Sequence, residues 1–146
     1  MVLKLLVIIF VIKLCAQSKL FNLIREKYGH ESLQLVRKWE RKCIKLEKLK
    51  CDVKFLLKCK KERLIPTFAR PKFSIKTNPK MTVKVSQLIL ETEIQNKYKL
   101  KKTLISETKQ LSNQVRTVCS DIIYRGLLYK LRKTIDGKIR TWQDGR

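Results

Sequence analysis

All three prolines of this chain, Pro66, Pro71 and Pro79, fall inside one short stretch, and only four glycines occur among its 146 residues. Proline breaks a helix interior and glycine weakens it, so little on either side of that stretch interrupts long helices. Apolar side chains fill those flanks at three- and four-residue steps, the period of a helix with one buried stripe. The fold class that follows is all-α. Two long helices, over residues 19–63 and 82–133, form a hairpin or coiled coil, joined by a Pro-containing basic connector over residues 64–81. A short apolar N-terminal helix within residues 1–18 precedes them, and residues 134–146 read as a frayed tail.

In the first helix Val36, Trp39, Cys43, Leu46, Val53 and Leu57 keep a heptad-like seam, with Lys50 filling its missing position. Leu35, Leu49 and Leu56 widen the stripe on one flank, and Gly29 weakens the pattern near its start. In the second, Ile94, Leu104, Leu111, Val115, Val118, Ile122 and Tyr129 line the seam, with Lys97, Lys101, Thr108 and Arg125 at its polar positions. So many polar members fix register more than they stabilise. Asp136-Gly137 marks the stop. The same stripe could serve a hairpin within one chain or a homodimer.

Charge narrows the partners. Lys and Arg number 35 against 12 acids, a net charge of +23 spread along the chain. Such an excess repels itself in any packed state and favours a polyanion: nucleic acid, an anionic membrane face or an acidic protein. An AT-rich genome would account for the lysines alone, and not for the accompanying arginines. The back of the first helix carries Arg37, Lys38, Arg41, Lys42, Lys45 and Lys48, then Lys58, Lys60 and Lys61. Like charges at helical spacing, such as Arg37 with Arg41, each cost a few tenths of a kcal/mol. A polyanion turns that penalty into binding.

The connector contains no acid. Phe68 and Phe73 alternate there with Arg70 and Lys72. Interleaved aromatic and basic groups suit base stacking across a phosphate backbone, and two aromatics in a hinge also suit plugging the open end of a helix pair. The plug is the expectation taken here. For nucleic acid, the phosphate contacts expected are Arg37, Arg41, Lys45, Lys58, Lys60, Lys61, Arg70 and Lys72.

Catalytic chemistry has little to work with. Glu40, Glu47 and Glu62 read as solvated, and Glu91 and Glu93 face different ways on a helix. No P-loop, dinucleotide glycine motif or nucleophile elbow occurs. Cys59, flanked by Lys58, Lys60 and Lys61, reads as an exposed thiol without a base partner. Cys15, Cys43, Cys51, Cys59 and Cys119 show no metal-ligand spacing, and His30 is the one histidine. Cys43, Cys51 and Cys59 fall eight apart on one helix, roughly 12 Å, beyond disulfide reach. The chain is thus expected to be no enzyme, with no cofactor, metal or small-molecule substrate.

Residues 1–18 admit two readings. Lys4, the apolar run from Leu5 to Ile12, and small residues at Ala16 and Ser18 match a secretory signal peptide. Lys13 interrupts the run, and an intact chain could instead pack Leu5 to Ile12 against the first helices. We take the second, an intracellular chain with reduced thiols. Cleavage would give a secreted cationic effector.

Two phrases carry a resemblance. Trp39-Glu40-Arg41-Lys42-Cys43-Ile44-Lys45-Leu46-Glu47-Lys48-Leu49 and Phe55-Leu56-Leu57-Lys58-Cys59-Lys60-Lys61-Glu62-Arg63-Leu64-Ile65-Pro66 resemble the leader region of invertebrate retroelement proteins of the Penelope-like kind. There a basic Leu-rich helix ending in a Phe-Leu-x-x-Cys…Ile-Pro phrase precedes a reverse transcriptase. The resemblance spans roughly residues 21–73. It implies a nucleic-acid-handling or assembly leader, or a remnant of one; no polymerase carboxylate motif follows. The function expected is therefore a non-catalytic, non-sequence-specific nucleic-acid-binding or assembly module. The alternative is a coiled-coil structural protein whose charge is incidental.

Overall fold

The computed structural model describes residues 2–6, 8, 19–69 and 79–144. Among them the chain is all-α with no strand. Residues 2–6 and 8 are helical. Helix α1 spans Lys19–Tyr28, α2 His30–Lys61, α3 Pro79–Val118 and α4 Asp121–Asp144, with a 3-10 turn at Thr67–Ala69. The two long helices, α2 and α3, pack against each other. Two compact units result: Met1–Lys45 with Ile105–Arg146, and Leu46–Leu104.

Helix starts and stops follow local backbone chemistry. The expected helix over residues 19–63 is two helices, because Gly29 adopts a left-handed φ of 95°. Its N–H donates to the Arg25 carbonyl (3.0 Å), and its own carbonyl accepts from Leu33 N–H (3.3 Å). One glycine thus closes α1 and opens α2. At the far end of α2, Leu64 N–H reaches the Cys59 carbonyl (2.8 Å) and Arg63 N–H the Lys60 carbonyl (3.4 Å). That is a Schellman motif, and Arg63 takes the left-handed position with φ 57°.

The second long helix also departs from expectation. It starts at Pro79 rather than residue 82, since the first turn of a helix needs no proline N–H. It ends at Val118, and Ser120 Oγ accepts from Ile123 N–H (3.4 Å) to cap a separate helix, α4. The phase of the apolar stripe changes there. Ile122, expected in the seam, is exposed, as is Arg125; Ile123, Tyr124, Leu127 and Leu131 are buried instead. The stop at Asp136-Gly137 and the frayed tail are not found. Leu131, Ile135 and Ile139 keep a four-residue spacing that carries the helix through Gly137.

In the first unit Leu20 and Ile24 of α1 meet Leu33, Val36 and Trp39 of α2, Leu111 and Val115 of α3, and the α4 stripe. Trp39 stacks obliquely on Tyr124 at 6.0 Å. Tyr124 hydroxyl and Ser112 Oγ share a hydrogen bond of 2.9 Å. Glu40, expected in solvent, lies half-buried 3.7 Å from Lys130 Nζ, which sits 3.2 Å above the Phe21 ring.

In the second unit Leu46 and Leu49 pack on Leu104, and Leu56 and Cys59 on Leu90, Ile94 and Ala69. Asp52 lies 3.9 Å from Lys97, and Lys60 lies 3.6 Å from Glu91, so partner numbers fall on α3 as they rise on α2. The helices run antiparallel there. The seam differs from the one expected. Val53 is buried as expected, but Lys50 is exposed and Leu57 is 39% exposed, and Leu49 and Leu56, expected on the flank, are buried in their place. A three-residue step from Leu46 to Leu49, where four was expected, turns the stripe toward the flank of Leu49 and Leu56 around α2. That turn also buries Cys59, expected to be exposed. The connector plug is different too: Phe68 is exposed and its neighbour Ala69 is fully buried, while Phe73 lies outside the described residues.

Candidate nucleic-acid interface

The turn of the apolar stripe divides the basic back of α2 into two rows. In the N-terminal half of α2 the buried stripe of Val36, Trp39 and Leu46 leaves Arg37, Arg41, Lys45 and Lys48 on the opposite side, all exposed. Their spacing places one cation every 6 Å or so along the helix. In the second unit the turned stripe leaves Lys54, Lys58 and Lys61 exposed. The single face expected for Arg37, Arg41, Lys45, Lys58, Lys60 and Lys61 is therefore not one face.

Each expected contact can be placed. Arg41, Lys45, Lys58 and Lys61 are exposed, with no carboxylate within ion-pair distance among the described residues. Arg37 is exposed as well, but its guanidinium carbon lies 5.7 Å from the Phe21 ring centre. That contact places the guanidinium against an aromatic ring while the residue stays exposed. Lys60 belongs to the helix pairing, since its ammonium faces Glu91. Lys42 likewise faces Glu107 at 2.9 Å. Arg70 and Lys72 lie outside the described residues. Lys54 was not singled out by sequence; its four-residue spacing to Lys58 was the available signal.

Elsewhere some basic groups are compensated, while Lys99, Lys102, Lys109, Arg132, Lys138 and Arg140 are exposed with no carboxylate within ion-pair distance among the described residues. Arg125 pairs with Asp121 at 3.1 Å, Lys97 with Glu93 at 3.7 Å, and Lys50 with Glu47 at 3.2 Å. Arg116 lies over Tyr124 and Lys133 over Tyr129. On α2 the two rows are exposed positive charge with no carboxylate within ion-pair distance among the described residues.

Two titrating groups are shifted, both where α1 meets the start of α4. Hydrogen bonding by Ser120 holds the Tyr28 phenol below its ordinary value; Ser120 N–H donates to its oxygen at 3.0 Å. Burial pushes the neighbouring Cys119 thiol above its ordinary value. Cys59 and Cys119 are buried and outside any disulfide. Among the described residues no three His, Cys, Asp or Glu side chains group as metal ligands.

Compared with models of protein families, with curated proteins and with solved structures, the chain matches none.

Proposed function

We propose that this chain is a non-catalytic module that binds nucleic acid without sequence specificity, presenting cations from an antiparallel α2–α3 hairpin. The observation behind the reading is the row Arg37, Arg41, Lys45 and Lys48, which is exposed, regularly spaced and without carboxylate partners. Holding four like charges in line on a rigid helix costs stability, and a phosphate backbone relieves that cost by releasing its condensed counterions. Lys54, Lys58 and Lys61 act as a second, shorter contact. On this reading the segments that resemble a retroelement leader supply the basic helix itself.

Binding of a short RNA or DNA duplex, followed by fluorescence anisotropy across a salt series, tests it. The four phosphate contacts of the first row alone predict a fall in affinity of about a hundredfold between roughly 50 and 200 mM salt. Changing Arg37, Arg41, Lys45 and Lys48 together to Gln should remove most of that salt slope. Absence of binding at low salt, or a Gln variant that binds as the parent does, overturns the proposal.

A further inference from the structure

Five large apolar side chains near the N-terminus stand in solvent on helical backbone. Val2 is 73% exposed, Leu3 78%, Leu5 63%, Leu6 58% and Ile8 56%. Of the run Leu5 to Ile12 expected to pack against the first helices, Leu5, Leu6 and Ile8 do not, and residues 7 and 9–12 lie outside the described residues. The five exposed residues do not form a one-sided stripe. They point around the helix, so a single groove would cover only some of them, and leaving them in water invites aggregation.

Charge chooses among the occupants that could cover them. A second copy of the chain would bring its own +23 against this one, so like charges oppose that contact. Nucleic acid offers phosphates and no apolar recess. An anionic bilayer offers both an acyl layer for the leucines and a negative surface for the cations. No described helix is long and apolar enough to cross a membrane. A helical turn or two of this kind, carrying the exposed Lys4 among its apolar residues, is suited to shallow insertion with the ammonium at headgroup level.

We propose that the segment bearing Val2, Leu3, Leu5, Leu6 and Ile8 inserts into the surface of a bilayer containing anionic lipid, with Lys4 meeting its phosphates. The residues used are not those of the basic rows of α2, so the two activities can be tested apart.

The experiment uses the full chain and sedimented vesicles of phosphatidylcholine, with or without about one-third phosphatidylserine. The protein should sediment with the anionic vesicles and remain on them at ~1 M salt, where charge attraction is screened beyond about 3 Å. A Leu3→Asp/Leu6→Asp variant should keep its helicity and nucleic-acid binding, yet bind those vesicles at least about tenfold less tightly at that salt. A Leu5→Trp variant should show blue-shifted emission on the anionic vesicles. Equal release of parent and double variant by salt would reduce the contact to charge alone and overturn the proposal. So would unshifted Trp emission, equal affinity for vesicles lacking phosphatidylserine, or sedimentation without vesicles.

Discussion

The Tyr28 hydroxyl accepts a hydrogen bond of 3.0 Å from the backbone N–H of Ser120, ninety-two positions further along the chain. The two breaks in helix, one at Gly29 and one at Ser120, are thereby fastened to each other. Tyr28 is the last residue of α1, and Ser120 is the cap of α4. Replacing Tyr28 with Phe removes the acceptor and leaves the ring. We expect a loss of about 0.5–1.5 kcal/mol, read as a lower urea midpoint at unchanged slope. Ser120→Ala should cost a similar amount by uncapping α4.

The turned stripe makes a sharp contrast between neighbours. Leu56→Ala should cost about 2–5 kcal/mol, because Leu56 is buried against Leu90 and Ile94. Leu57→Ala should change stability by less than about 1 kcal/mol, since that side chain is already partly in solvent. Chemical denaturation of both variants checks the phase of the helix directly. The reverse order of effects would restore the seam first expected from the sequence.

Arg63 offers a substitution that stabilises. A side chain with a Cβ in the left-handed region costs on the order of 1 kcal/mol, and the Schellman motif at the end of α2 requires that conformation. Arg63→Gly should therefore raise the thermal midpoint. A lower midpoint would show that the arginine side chain contributes more than its backbone strain costs.

Alkaline pH separates two neighbouring groups by sign. Burial raises the Cys119 thiol, so above its ordinary value of 9.0 the unfolded chain gives up a proton that the folded chain keeps. Stability from this group is complete below that value and falls as pH rises past it. The Tyr28 phenol is lowered from 10.0, so between its folded and unfolded values it is the folded chain that has lost the proton. Its contribution grows with pH. Cys119→Ala should flatten the alkaline loss of stability relative to the parent, and Tyr28→Phe should steepen it, in denaturation curves taken between about pH 8 and 10.5.

The helices and their apolar residues were legible in the sequence; their phase was not. Val36, Trp39, Leu46, Val53, Leu104, Leu111 and Val115 are buried as their spacing implies. Beyond Leu46, however, leucines occupy both candidate stripes, Leu49 with Leu56 and Leu57 alone, and only the partner helix decides between them. The same ambiguity hid the division of the basic face, because the exposed side is whatever the buried stripe leaves. Lys42 and Lys60 read as solvated until Glu107 and Glu91 of α3 stand opposite them. Ser120 carried a capping signal, a Ser-Asp pair ahead of an apolar run, but an unbroken seam across it looked equally regular. Gly29 was visible as a weakness, and its left-handed backbone made that weakness a break.

The two units differ in how the chain supplies them, with consequences for synthesis. Leu46–Leu104 is continuous in sequence, whereas the other unit joins Met1–Lys45 to Ile105–Arg146. On a ribosome the continuous unit can close as soon as α3 has emerged. The aromatic ring of Trp39 and the side chains of α1 must wait for α4. At translation rates of 5–20 residues per second, Tyr28 is made on the order of 5–20 s before Ser120 exists. Through that interval Leu20, Ile24 and Trp39 are apolar surface on a nascent chain, and a chaperone has that long to meet them.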